Sequence, residues 1–279
     1  MSGGTHHIMG ISGGKDSSAL AIYLRDKVPD LTYFFCDTGA ELPETYEYLA
    51  RLEAYFGRPI VRLNSGRDFD HWLDVFRGAL PSATMRWCTR QMKIKPLEDW
   101  VADEFGDDQV ISYVAIRADE PQREGYLSTR SNITVKYPFR EDNIDKEGVF
   151  KILQDSGVGL PAYYEWRTRS GCYFCFFQRK AEWVGLADRH PDLFARAVEY
   201  EEKANRNHGS YGSANPYTWA PNEALPVLLE RKDEVLAKHE EALAREKRKR
   251  RNLPLLQVID DAFASDDDSD GEGCQVCHV

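Results

Sequence analysis

The sequence predicts an α/β protein with a doubly wound, mostly parallel sheet and a helical C-terminal extension. Three observations carry that expectation. Short apolar runs of strand length alternate with helically spaced segments through the first half of the chain. The most unusual loops, at Ser12, at Asp37-Thr38-Gly39 and from Arg117 to Arg123, each follow such a run directly. Beyond Lys136-Tyr137-Pro138-Phe139 the pattern turns helical. Alternating strands and helices imply parallel strands joined by crossover helices. In such sheets ligands bind outside the carboxyl ends of the strands, so the three loops are expected to converge on one crevice.

The apolar stretch from His7 to Ser12 ends at a glycine-rich turn, and Ser17 to Leu24 follows with helical spacing through Leu20, Ile22 and Leu24. Leu31-Thr32-Tyr33-Phe34-Phe35-Cys36 reads as a buried strand, and Pro43 to Phe56 as a helix with Pro43 in its first turn. Pro59 to Leu63 and Val110 to Ile116 read as further strands, separated by a mostly helical insert from Phe69 to Glu104. Helices are predicted at Lys146 to Asp155, Arg179 to Asp188, Pro191 to Ala204 and Pro226 to Arg250. The Ser, Asp and Gly residues of Ala264 to Val279 bury too little apolar area to offset chain entropy, which predicts disorder there. The expected division is a loop-bearing α/β domain over 1–183, a helical extension over 184–259 and an acidic tail over 260–279. No internal repeat is found.

At 279 residues, 42% hydrophobic and 29% charged, the chain has the balance of a globular protein, and no apolar run approaches the roughly 20 residues of a membrane span. Met1 to His7 lacks the basic and apolar regions of a secretory signal, so a cytoplasmic location with no membrane partner is expected. A formal charge of -10 argues against nucleic-acid binding by the whole surface. The charge is unevenly placed, however. Arg245, Lys247, Arg248, Lys249, Arg250 and Arg251 form a basic run, read here as a solvated helix end that could also meet phosphates. Asp260, Asp261, Asp266, Asp267, Asp268, Asp270 and Glu272 crowd the tail behind it. Six cysteines, Cys36, Cys88, Cys172, Cys175, Cys274 and Cys277, point to metal or redox use rather than structural disulfides in such a chain.

Ser12-Gly13-Gly14-Lys15-Asp16-Ser17 lets backbone amides approach an anion with no Cβ in the way, at the positive end of the following helix. Phosphate binding follows. It is not a Walker A loop, because the glycine spacing differs and Asp16 stands where Ser or Thr would hold magnesium. A carboxylate such as Asp37 at a strand end can meet ribose hydroxyls or a metal, and Gly39 permits a sharp exit. In Arg86-Trp87-Cys88-Thr89-Arg90-Gln91-Met92-Lys93-Ile94-Lys95, the cations Arg86, Arg90, Lys93 and Lys95 could face a phosphate or sulfate, with one helical turn between Arg90 and Lys93. Cys172-Tyr173-Phe174-Cys175 alone is compatible with zinc, a redox dithiol or iron–sulfur. Cys36, beside Phe34 and Phe35, reads as a buried strand cysteine.

The loop at 12–17 resembles the signature of the pyrophosphate-loop superfamily, whose members bind ATP or phosphoadenosine phosphosulfate. Asp37-Thr38-Gly39-Ala40-Glu41-Leu42-Pro43-Glu44-Thr45 resembles the Asp-Thr-Gly…Pro-Glu-Thr segment of the phosphoadenosine phosphosulfate reductase family. Arg117-Ala118-Asp119-Glu120-Pro121-Gln122-Arg123 is similar to a turn of the same family, with Ala115 and Pro121 departing from its usual Gly and Ser. The likeness runs from about His7 to Trp183 and implies an adenine nucleotide α-hydrolase-like domain. Cys88, Cys172 and Cys175 stand where thiolation enzymes and the ATP pyrophosphatase subunits of DNA phosphorothioation place cluster ligands. The resemblance therefore implies a [4Fe-4S] cluster at these three, with zinc as the alternative.

From this resemblance the expected activity is an ATP pyrophosphatase that adenylates an acceptor, a nucleic-acid phosphate or base, for replacement by sulfur. Ser12, Gly13, Gly14, Lys15, Asp16, Ser17, Asp37, Thr38 and Gly39 would bind the nucleotide, with Asp16 helping to place Mg2+. Lys15, Asp16, Arg117 and Arg123 would carry the chemistry, and a sulfur-donor protein such as a cysteine desulfurase would be a partner. The alternatives are a reductase of phosphoadenosine or adenosine phosphosulfate that releases sulfite, and a non-catalytic nucleotide-binding module. Cys274-Gln275-Val276-Cys277-His278 could serve as a mobile persulfide carrier or reductant, although the family's own Glu-Cys-Gly ending is missing.

Overall fold

The computed structural model describes residues 4–125, 128, 130–206 and 216–251; the side chains of 246–251 are outside that description. Two compact units are present. Of the described residues, those within 4–69 and 86–172 make up one and those within 70–85 and 173–251 the other.

The first unit is built on a five-stranded sheet of β1 (Thr5–Gly10), β2 (Leu31–Cys36), β3 (Val61–Leu63), β4 (Gln109–Tyr113) and β5 (Ile133–Lys136), in the order β3-β2-β1-β4-β5. Every neighbouring pair is parallel. Successive side chains of a strand point to opposite faces, and both faces here are covered. Met9, Tyr33 and Phe35 pack with residues of α1 (Lys15–Leu24), α2 (Pro43–Phe56) and α7 (Lys146–Ser156). Ile8, Phe34 and Cys36 pack on the other side with Leu97 and Val101 of α5 (Lys95–Phe105). The remaining elements of this unit are α4 (Trp87–Thr89), a π-turn over Arg90–Ile94, α6 (Pro138–Glu141) and a 3-10 turn over Ala162–Glu165; α3 (Phe69–Val75) begins at its boundary.

Local chemistry accounts for the helix limits. Pro43 opens α2, whose chain leaves through Gly57 in the left-handed region at φ 61°. Asp145 caps α7 by accepting from the Gly148 amide at 2.9 Å, and Gly157 ends it at φ 73°.

Two expectations need correction. β5 pairs in parallel with β4, where sequence reading placed no strand; its residues alternate between half-buried and exposed, which hides an edge strand from a search for apolar runs. The single helix expected from Pro226 to Arg250 is two, α10 (Leu225–Glu230) and α11 (Lys232–Arg251), because Arg231 leaves helical geometry at φ −105°, ψ 23°.

The second unit holds α8 (Lys180–Arg189), α9 (Pro191–Arg206), α10 and α11 around Trp183, Phe194, Ala197, Tyr200, Trp219, Leu225 and Leu228. Its buried Glu201 accepts from the amides of Trp219 at 2.8 Å and Leu225 at 2.9 Å, tying α9 to the start of α10. Among the described residues no helix is long and apolar enough to cross a membrane. Arg245 is exposed; the acidic tail and the Cys274 and Cys277 motif lie outside the described residues.

Candidate functional site

The loop after β1 is held by its own hydroxyls. The Ser12 amide donates to Ser17 Oγ at 3.1 Å, the two hydroxyls lie 3.1 Å apart, and Ser18 Oγ donates to the Gly14 carbonyl at 2.8 Å. Gly13 adopts φ +75°, and a Cβ there would come within 2.8 Å of Thr45 Cγ2. This position therefore requires glycine on both conformational and spatial grounds. The turn delivers Lys15 and Asp16 to the first turn of α1, where the positive end of the helix dipole favours an anion.

Arg117, which follows β4, reaches this loop. Its Nη1 lies 3.2 Å from Asp16 Oδ1, and Lys15 Nζ lies 3.2 Å from Asp16 Oδ2. The same guanidinium forks onto Asp119, with Nε to Oδ1 at 2.9 Å and Nη2 to Oδ2 at 3.3 Å. Arg123 Nη1 pairs with Glu120 Oε1 at 2.7 Å, and Arg117 Nη2 stands 3.7 Å from the same oxygen. Burial lowers the proton affinity of Arg117, but Asp16, Asp119 and Glu120 outweigh it and hold the guanidinium above its ordinary range. Lys15, Asp16, Arg117 and Arg123 are thus linked in one ionic chain.

The Asp37-Thr38-Gly39 turn folds around Glu41. Thr38 Oγ1 donates to Glu41 Oε1 at 2.7 Å, and Oε2 accepts from the amides of Thr38 and Ala40, both at 3.2 Å, and from Tyr46 Oη at 3.2 Å. Asp37 Oδ1 accepts from the Gly39 amide at 2.9 Å and from Tyr46 Oη at 2.8 Å. Burial pushes the Glu41 carboxyl up, against the opposing influence of Lys93. A crevice beside the loop is lined by Ser12, Phe35, Cys36, Glu41, Lys93, Ser170 and Gly171. Cys36 is buried as expected; its thiol contacts the Lys93 carbonyl at 3.6 Å and is pushed up to about 12 by burial.

Of the four cations expected on the basic helix, Lys93 lines the crevice. Arg90 is exposed, Arg86 is half-buried, and exposed Lys95 pairs with Asp99 at 2.8 Å. The π-turn from Arg90 to Ile94 explains part of this spread, because its extra residue per turn rotates side chains away from α-helical spacing.

Residues 163–170 form a wall that sequence reading missed. Tyr163 Oη donates to the Gly13 carbonyl at 2.8 Å, the Lys15 amide donates to Tyr164 Oη at 3.0 Å, and Ser170 Oγ lies 3.1 Å from Ser12 Oγ. Buried Arg167 donates to the carbonyls of Gly171 at 3.2 Å and Cys172 at 2.9 Å, fixing the end of this segment.

Cys88, Cys172 and Cys175, the expected metal ligands, are half-buried. Cys172 Sγ lies 3.2 Å from Thr38 Oγ1 and 4.0 Å from Glu41 Oε1. Cys88 belongs to the first unit and Cys175 to the second. Among the described residues no three His, Cys, Asp or Glu side chains are grouped to hold a metal ion. Asp16, expected to help place Mg2+, lies between the cations of Lys15 and Arg117.

Residues 6–137 match the family model for the phosphoadenosine phosphosulfate reductase domain. This stretch, a little under half of the chain, is similar to that domain. An uncharacterized protein of Methanocaldococcus jannaschii is 27% identical over 216 residues, covering 72% of this chain and 43% of its own. A second from the same organism is 24% identical over 199 residues, covering 67% and 46%. The chain therefore spans less than half the length of these two relatives. An uncharacterized 37.8 kDa protein of Escherichia phage 186 is 25% identical over 297 residues, covering 86% of each. Among solved structures, the domain is similar to phosphoadenylyl-sulfate reductase from Candida auris, in a phosphate complex, at 14% identity and a TM-score of 0.47 over 60% of this chain and 81% of that one. The U34-tRNA thiolase NcsA from Methanococcus maripaludis, with its [4Fe-4S] cluster, gives 12% identity and a TM-score of 0.42 over 82% and 81%.

Proposed function

We propose that this domain is an ATP pyrophosphatase that adenylates an acceptor oxygen for replacement by sulfur. The observation that carries the reading is the array of half-buried Lys15 with buried Asp16 and Arg117 at the phosphate loop. Lys15 stands at the helix end where the phosphate chain would lie. Asp16 positions Lys15 and Arg117 by accepting from both. The acceptor oxygen attacks the α-phosphorus, the bond to the β-phosphate breaks, and the negative charge gathering on departing pyrophosphate meets loop amides and Lys15. Magnesium enters with the substrate as MgATP.

The reductase alternative requires a cysteine that attacks sulfur as a thiolate. Cys36, which lines the crevice, is held protonated by burial, and Cys172 faces the Glu41 carboxyl. Both features favour the ATP reading. Arg86 and Arg90, on the segment that brings Lys93 to the crevice, are assigned to a nucleic-acid acceptor, and a cysteine desulfurase or similar protein is the proposed sulfur donor.

The test is anaerobic incubation of the full chain with MgATP and a panel of DNA and RNA acceptors, alongside phosphoadenosine phosphosulfate with dithiothreitol. Acceptor-stimulated pyrophosphate that disappears in Lys15→Ala supports the proposal. Sulfite from phosphoadenosine phosphosulfate would establish the reductase, and saturable nucleotide binding without either product would leave a binding module.

A further inference from the structure

We infer that Tyr164 is a phosphate-binding residue of this site, donating its hydroxyl proton to a non-bridging oxygen of the nucleotide's phosphate chain. This rests on the loop being the phosphate site. The amides of a helix's first turn point out of its N-terminal end, so a group accepting from the Lys15 amide stands where an anion docks. Tyr164 Oη is such a group, 3.0 Å from that nitrogen.

A hydroxyl in this place could be a stand-in that leaves when phosphate arrives, or a fixed part of the cradle. The surroundings favour the second. Tyr164 is stacked on Tyr163 with ring centroids 5.0 Å apart, and Tyr163 is pinned to the Gly13 carbonyl at 2.8 Å. Six residues on, Ser170 Oγ is bonded to Ser12 Oγ at 3.1 Å. The segment is therefore attached to the loop on both sides of Tyr164, which holds its backbone in place, and swinging the phenol away would give up its stacking on Tyr163. A phenol has one proton to donate and lone pairs to accept with. With the Lys15 amide donating to its oxygen, the Tyr164 hydroxyl has the neutral Tyr163 hydroxyl as its side-chain partner within reach, and a phosphate oxygen at the helix end is the stronger acceptor to which its proton would turn. Burial keeps the phenol protonated by pushing its proton affinity up. Lys15 thus offers its ammonium directly and its amide through Tyr164, which would extend the donor array by one O–H.

The experiment measures equilibrium binding of inorganic pyrophosphate and of adenosine to the full chain and to Tyr164→Phe, with Tyr23→Phe, whose hydroxyl donates to the exposed Asp142, as a control. Losing one hydrogen bond to a charged group is expected to weaken pyrophosphate binding roughly ten- to a hundredfold. Adenosine binding, and the control variant, are expected to be unchanged. An equal loss for both ligands would reduce Tyr164 to a structural brace, and unchanged or tighter pyrophosphate binding would make it a stand-in; either result overturns the inference. If wild-type protein binds neither pyrophosphate nor ATP, the phosphate-loop reading itself fails, which is a separate outcome from a Tyr164→Phe protein that binds like wild type.

Discussion

Arg117 Nη1 and Asp16 Oδ1 lie 3.2 Å apart across 101 residues of sequence, and their side chains are 2% and 6% exposed. The contact joins the end of β4 to the first turn of α1, so it couples the stability of the sheet's ligand-binding edge to the geometry of the phosphate loop. It also explains why a carboxylate stands at position 16. A Ser or Thr there could not balance two cations.

Removing Arg117 should therefore cost stability as well as activity. Arg117→Ala strands Asp16 and Asp119 without their shared partner, and breaking a buried ion pair from one side costs about 3–5 kcal/mol. Arg117→Lys keeps the charge but not the fork that engages Asp119 through two nitrogens, and is expected to fall between wild type and alanine. Urea unfolding measures both. A loss below about 1 kcal/mol in Arg117→Ala would mean the pair is solvated and does not organise the loop.

Glu41 predicts a pH dependence. Burial raises its proton affinity in the folded chain, opposed by Lys93, with Asp37 adding to the rise. Above the ordinary glutamate range the unfolded chain has released this proton while the folded chain still holds it. Stability from this group is therefore complete at low pH and is lost as pH rises through the folded value. Glu41→Gln gives up acceptor capacity at every pH but does not titrate. Its stability relative to wild type should rise with pH, by at most about 1.4 kcal/mol per unit. Chemical denaturation from about pH 4 to pH 8 reads this, and a flat difference would show that Glu41 ionises normally.

Cys36 should be chemically silent in the native protein. With its thiol pushed up to about 12, only about one molecule in ten thousand is a thiolate at pH 8. Cys88, Cys172 and Cys175 are half-buried. Timed iodoacetamide labelling with peptide mapping should find Cys36 at least about a thousandfold slower than an ordinary accessible thiol, until denaturant is added. Prompt native labelling of Cys36 would remove the main structural argument against a cysteine nucleophile in the crevice.

What was legible in the sequence follows from how local each signal is. The limits of α2 are set by residues beside them, Pro43 and Gly57, and were read correctly. The buried strand at Leu31–Cys36 was visible because both its faces are covered. β5 was not, since Ile133-Thr134-Val135-Lys136 has the mixed pattern of a short edge. Tyr163, Tyr164 and Ser170 meet the loop across 150, 149 and 158 residues, and nothing in their own neighbourhood announces that contact. The π-turn at Arg90–Ile94 likewise escapes a reading based on α-helical spacing, although it changes which cations reach the crevice.

The wall over the loop can be tested through its tightest approach. Gly14 sits in the extended region at φ −91°, ψ 166°, which any residue can adopt, so only space restricts it. A Cβ there would lie 2.7 Å from Ser170 Oγ and 3.3 Å from Ser170 Cβ. Gly14→Ala must displace Ser170 and break its bond to Ser12, weakening pyrophosphate binding. Ser170→Gly alone loses that bond without a clash. In the double variant the new methyl group occupies the space the serine side chain vacated, so the two losses should not add. The extra backbone freedom of glycine at 170 is common to the single and double variants and largely cancels in the cycle. A coupling of about 1 kcal/mol is expected in pyrophosphate affinity. Strict additivity would mean that residues 163–170 do not lie over the phosphate loop in solution, and the case for Tyr164 would fall with it.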